Sequence, residues 1–324
     1  MHEAYVTDSL IPEAKHSSEG IVMWPFKRIL FPTDFSPCAD AALQPAYDLG
    51  RRSGAEVHIL HVVPGPAAAP EQTIHHLQTF VSRAVEGASS LDDRNGLTLV
   101  YDYIRCDSIA DGILTYAMDC QADLVVMGTH GRNGINRLLV GSVTAEVLRR
   151  INVPVLAVHE GVAWSMPRRL LLGYDFSQQS LDALEAAREL ALAFGAELDV
   201  VFAANDLVLP DLFGISDPEA PSPTIRGRFR NEIRRHLADL DEAGLRYEIY
   251  VVGGNAVNQI AEHAARLDAG LVLLAGHGGS GMALKLGPHL TERLLHRVTQ
   301  PVLIVPPCGK PVIQLERRHT ASML

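Results

Sequence analysis

A chain of 324 residues with 47% hydrophobic and 20% charged side chains has the composition of a globular protein with room for two domains, each large enough for its own core. Its formal net charge of -10 argues against the broad attraction to phosphate backbones that non-specific nucleic-acid binding needs, and no apolar run approaches the roughly 20 residues of a membrane span. Four cysteines without CxxC spacing (Cys38, Cys106, Cys120 and Cys308) and no signal-peptide pattern lead to the expectation of reduced thiols and a cytoplasmic location.

Residues 1–26 are mixed in character and read as a flexible extension, with Met23 an alternative start. Residues 28–31 form a short apolar strand, and Pro32, Thr33, Asp34, Phe35 and Ser36 a turn with capping residues. An amphipathic helix over 39–53 is closed by Gly54, and a second strand over 56–63 is stopped by Pro64, Gly65 and Pro66. A Pro/Ala-rich loop leads to a helix over roughly 71–91, then a third, alternating strand at 97–104 and a third helix at 108–121. The apolar run 122–127 predicts a buried fourth strand. It stops at Gly128, glycines recur at 131, 134 and 141, and Ser142 follows before a helix over 143–151 and a fifth strand over 153–158. Strands alternating with helices at this spacing predict parallel βαβ units, whose ligands sit outside the strand C-terminal ends.

The chain then repeats. Residues 169–177 echo 28–36 and 195–198 echo 54–57 at an offset of 141, which sets Asp175 where Asp34 stands. Residues 300–305 echo 153–158 at an offset of 147, and the six extra residues fit a longer, proline-rich loop over 205–223. The expected fold is two tandem doubly wound α/β domains, 27–159 and 169–306, with a linker at 160–168 and a flexible tail at 307–324.

A strand ending in a glycine loop that delivers a hydroxyl and backbone N–H groups to a helix start is an anion cradle. Gly131 and Gly141 lack Cβ, so a triphosphate could approach the main chain, and Ser142 can donate its hydroxyl or act as a cap. Arg132 and Arg137 stand where they could neutralise phosphate, or are ordinary surface charge. His130 could reach a phosphate or share a metal with His61, but the favoured reading is a solvent-facing loop histidine. His75 and His76 have no partner at ligand spacing.

Together these residues resemble the universal stress protein family in tandem form. Its nucleotide-binding branch carries glycine, two residues, glycine, nine residues, glycine, then serine or threonine. Gly128, Gly131, Gly141 and Ser142 stand at those spacings. The Asp34 turn and the Leu60, His61, Val62, Val63 strand end match as well, and the resemblance runs from Lys27 to Pro306. It implies five-stranded parallel sheets of order 3-2-1-4-5 flanked by helices, paired as a pseudo-dimer through their last strands, which covers edges otherwise exposed. It also implies an ATP site, with magnesium as a companion ion, built from Pro32, Thr33, Asp34, Val62, Met127, Gly128, His130, Gly131, Arg132, Gly141, Ser142, Val143 and Thr144. Asp34 and the Val62 backbone fall at the adenine or ribose end, though Asp34 also has the alternative role of a turn former.

The second copy departs from the pattern. Ala275 replaces the first glycine, and Pro288 and His289 stand where Gly141 and Ser142 do, so an N–H and a hydroxyl are lost together. Asp175 is retained, which leaves a different or smaller ligand as the alternative, and the favoured reading of that half is scaffold. No GxxxxGK[ST] motif or general base is evident, so the expectation is an ATP-binding protein in stress response or signalling, with at most slow hydrolysis. A nucleotide-independent interaction protein and an ATP-cleaving enzyme are the alternatives. A protein partner is expected without being identifiable, a homodimer stays open, and neither nucleic acid nor membrane is expected as a partner.

Overall fold

The computed structural model describes residues 26–65, 72–86, 97–130, 140–204, 223–237, 244, 246–276 and 290–307. The N-terminal extension, most of the long loop at 205–223, the second glycine loop and the tail lie outside the described residues, as do Gly131, Arg132 and Arg137. The first half runs β1 (Arg28–Pro32), α1 (Pro37–Ser53), β2 (Glu56–Val63), α2 (Thr73–Glu86), β3 (Thr98–Arg105), α3 (Ile109–Asp119), β4 (Leu124–Gly128), α4 (Ser142–Arg150) and β5 (Val155–Val158). The second runs β6 (Arg169–Gly173), α5 (Gln178–Phe194), β7 (Glu197–Ala204), α6 (Pro223–His236), β8 (Tyr247–Gly253), α7 (Ala256–Arg266), β9 (Leu271–Ala275), α8 (Leu290–Leu295) and β10 (Val302–Val305).

The boundaries follow local chemistry. Helix α1 opens on Ser36, whose extended backbone lets its hydroxyl accept from the Ala39 N–H at 3.2 Å, with Pro37 next. It closes at Gly54, left-handed at φ 67°. Replacing Ser36 with Ala is expected to cost about 1 kcal/mol in urea denaturation, because one helix N–H then loses its partner. Helix α4 starts at Ser142, one residue before the sequence expectation, and ends when Ile151 turns extended. Strand β5 is shorter than expected, because only from Val155 does the chain pair with β4.

One ten-stranded sheet holds everything, in the order β3-β2-β1-β4-β5-β10-β9-β6-β7-β8. Each half is thus a 3-2-1-4-5 parallel sheet. The central pair β5 and β10 is antiparallel, with Val302 opposite Ala157, Leu303 opposite Leu156 and Ile304 opposite Val155, all buried. Pairing equivalent strands removes two apolar edges at once. The cores merge as well: one cluster contains Ile29, Phe31 and Leu156 of the first half with Leu303, Leu273 and Leu172 of the second. The duplication extends to backbone irregularities, since Phe35 and Phe176 share φ 62°, and Gln121 and Asp268 take φ 53° and 50° at matching positions. Between the halves the Trp164 indole N–H donates to Asp48 of α1 at 3.1 Å, and Arg149 of α4 pairs with Glu292 of α8 at 3.2 Å.

Candidate functional site

In the first half β1 lies between β2 and β4, where the strand order reverses, so the loops after β1 and β4 open a crevice at the strand C-terminal ends. Past the buried Pro32, the Thr33 N–H donates to the Leu60 carbonyl at 2.8 Å, continuing the ladder by one bond. The Phe35 N–H then donates to Thr33 Oγ1 and the Ser36 N–H to Asp34 Oδ1, each at 3.0 Å, which holds Phe35 left-handed. Asp34 is therefore a turn former in fact, half-buried at the mouth of the crevice. Bonding alternates sides along a parallel strand. Leu60 bonds toward β1 and Val63 toward Cys106 after β3, so the Val62 N–H and C=O turn toward the β1 side, beyond β1's last residue.

His61 closes this end. Its Nδ1 lies 2.8 Å from the Thr33 carbonyl, which can only accept, so Nδ1 carries the proton; the ring packs on Phe35 at 4.8 Å between centroids. His61 is thus a wall of the crevice. Among the described residues no three His, Cys, Asp or Glu side chains converge to hold an ion.

At the other end, Gly128 is required by packing. A Cβ there would stand 2.8 Å from Cys38 Sγ and 2.9 Å from the Cys38 carbonyl oxygen, in the first turn of α1. Gly141 donates its N–H to the Thr129 carbonyl at 2.8 Å, and the Thr144 hydroxyl donates to the Gly128 carbonyl at 2.9 Å. These two bonds draw the head of α4 against the end of β4. Ser142 is left exposed at the first helical position, and the N–H groups of Ser142, Val143 and Thr144 head the helix, where its dipole favours an anion. Met127 lies buried beneath. Pro32, Thr33, Asp34, Val62, Met127, Gly128, His130, Gly141, Ser142, Val143 and Thr144 thus fall on the C-terminal ends of β1, β2 and β4 and the start of α4.

His130 is half-buried, its ring turned onto Thr129. Thr129 is buried, and its Oγ1 lies 2.9 Å from His130 Nδ1 and 3.2 Å from His159 Nδ1, while the His130 N–H donates to Cys38 Sγ at 3.4 Å. Among the described residues the Nε2 atoms of both histidines and Nδ1 of His296 are buried without a hydrogen-bond partner. Burial, then His296, hold His130 below the ordinary histidine range; burial, then His130 and His296, push His159 down to about 4. His159 and His296 carried no signal in the sequence, being single histidines just after a strand and just after a short helix.

The second half keeps the turn and packs it among aromatic rings. The Tyr174 N–H donates to the Val201 carbonyl at 3.0 Å and the Ser177 N–H to Asp175 at 3.0 Å, as in the first half. Yet Tyr174 stands for Thr33 and Phe202 for His61, and the rings of Tyr174, Phe176, Phe202 and Phe229 pack at 4.7–5.0 Å between successive centroids. The glycine-loop residues expected to be defective, Pro288 and His289, lie outside the described residues.

The chain is therefore a duplicated, doubly wound α/β protein whose two halves share one sheet. It belongs to the universal stress protein family, whose model matches residues 25–159 and again 166–306. A universal stress protein of Mycolicibacterium smegmatis is 27% identical over 295 residues, covering 86% of this chain and 97% of the relative. Universal stress protein MJ0531 of Methanocaldococcus jannaschii is 29% identical over 140 residues, 41% of this chain and 82% of the relative. The crystal structure of a universal stress protein from Archaeoglobus fulgidus superposes with a TM-score of 0.62 at 18% identity, covering 86% of this chain and 96% of that one, which shows the shared fold.

Proposed function

We propose that the first half, residues 27–159, binds ATP, and that the second half, 169–306, reached through a linker at 160–168, serves as scaffold. One observation carries the reading: Gly141 is hydrogen-bonded to Thr129, so the N–H groups heading α4 stand at the strand-order reversal where the Val62 backbone turns toward the β1 side and Asp34 lies half-buried. The triphosphate takes the head of α4, Ser142 and the glycine loop with Gly131 and Arg132. The adenine and ribose take Pro32, Thr33, Asp34 and Val62. Magnesium enters on the triphosphate, held by phosphate oxygens and water as that ion prefers. The protein acts as a nucleotide-binding module in a cytoplasmic stress response or signalling role, through an unidentified protein partner. Turnover is at most slow, since the sequence supplies neither a P-loop lysine nor a catalytic base.

Calorimetric titration of ATP tests this against wild type and a Gly141→Pro/Ser142→His variant that copies the second half. Wild type is expected to show one saturable site per chain. The variant is expected to bind at least about tenfold more weakly, because a charge-assisted hydrogen bond is worth about 1.5–3 kcal/mol. An absence of heat from wild type overturns the nucleotide reading, and equal affinities overturn the placement of the phosphates.

A further inference from the structure

We propose that this nucleotide site is proton-linked through a histidine cluster spanning both halves, His130, His159 and His296, so that a bound polyphosphate and a proton on the cluster favour one another. The inference rests on the nucleotide reading above and adds a regulation to it. Thr129 joins the two parts: its hydroxyl lies within hydrogen-bond reach of Nδ1 of both His130 and His159, and its carbonyl receives the Gly141 N–H at the head of α4. One residue therefore anchors the cluster and the anion cradle.

The hydroxyl has a single hydrogen, so at least one of the two imidazoles must donate Nδ1–H to it. Beyond that bond the cluster is poor in acceptors. Among the described residues, His130 Nε2, His159 Nε2 and His296 Nδ1 are all buried with no hydrogen-bond partner. Around them stand Glu160 after β5, which favours a charge on His130; the Cys38 thiol of α1, which donates to the Val158 carbonyl at 3.5 Å; and His296 just after α8, which opposes a charge on either neighbour. Arg149 of α4 and Glu292 of α8 are paired with each other. Without a ligand, burial and then the neighbouring imidazoles disfavour a charge on His130 and His159. A polyphosphate at the head of α4 brings several negative charges close to His130 and shifts that balance toward the imidazolium. By linkage, acidification then strengthens binding in the same measure.

The test uses the full chain. Histidine Cε1–H resonances are titrated by NMR with and without saturating ATP, and ATP affinity is measured at pH 7.5 and 5.5 for wild type and a His159→Gln/His296→Gln variant. ATP's own titration is common to both proteins, so comparing them isolates the cluster. ATP is expected to raise the His130 midpoint by about one pH unit, and the wild-type gain in affinity on acidification to exceed the variant's by about threefold or more. Identical titration curves with and without ATP, or equal gains in the two proteins, overturn the inference while ATP binding at pH 7.5 stands. Failure of ATP to bind at pH 7.5 removes the nucleotide reading itself, and the proton linkage with it. The wild-type titration needs no variant, so a folding defect in the double substitution leaves the answer intact.

Discussion

Leu303→Ala is expected to lower the unfolding free energy by about 2–5 kcal/mol, the range for removing a buried leucine side chain without full collapse of the cavity. Leu303 is only 4% exposed, lies opposite Leu156 across the seam, and belongs to a core cluster with members in both halves. Strand β10 is also the only link in the sheet between β5 and β9. The cost should therefore appear in one cooperative transition that unfolds both halves. As a control, Leu192→Ala, at a position 37% exposed on α5, should change stability by no more than about 0.5 kcal/mol. Urea denaturation followed by circular dichroism and by tryptophan fluorescence checks both. Two separate transitions, only one of them displaced by Leu303→Ala, would sink the picture of a continuous core.

The second large effect concerns pH. His159 titrates near 4 in the folded protein against an ordinary 6.5, so between those values the unfolded chain holds the extra proton. Its contribution to stability is fully present above about pH 6.5 and is lost as pH falls toward 4, by about 3 kcal/mol in total. Asp199 does the opposite. Its carboxyl is 1% exposed and sits 3.1 Å from Arg169, yet burial outweighs that attraction and pushes it up from 3.8 to about 6. Here the folded chain holds the extra proton, so stability falls by a similar about 3 kcal/mol as pH rises through that window. In wild type the two offset each other. Asp199→Asn should reveal stability that climbs with pH from 4 to 6.5, and His159→Gln stability that declines over the same range. Urea midpoints at pH 4.5, 5.5 and 6.5 measure this, and an Asp199→Asn profile that is flat or falling refutes it.

Much of the fold was legible in the sequence because parallel strands buried on both faces read as short apolar runs, and Ser36, Gly54, Pro64 and Gly128 punctuate them. The repeat was legible because two copies of one turn, Asp34-Phe35-Ser36 and Asp175-Phe176-Ser177, share their residues and their left-handed phenylalanine. The ends of elements were less so. Helix α4 gains its first residue only because Gly141 and Thr144 bond back to Thr129 and Gly128, across a loop that no local pattern encodes. The glycine spacing suggested phosphate contact for Gly128, whereas its lack of a Cβ answers first to Cys38, 90 residues earlier in the chain.

The sequence by itself determined the α/β class, the duplication, the family and the chemistry available at the first glycine loop, because these depend on periodicity and on residues close together along the chain. Only the tertiary structure decided the roles of the histidines. His61 becomes a crevice wall through Thr33 and Phe35, and His130 and His159 meet on the Thr129 hydroxyl, with His296 of the other half near enough to oppose a charge on either. It likewise decided that Tyr174 and Phe202 stand in the second half where Thr33 and His61 stand in the first, packed with Phe176 as an aromatic cluster. Side-chain burial and charge are set by neighbours that the sheet brings together from distant segments, and no local pattern carries that information.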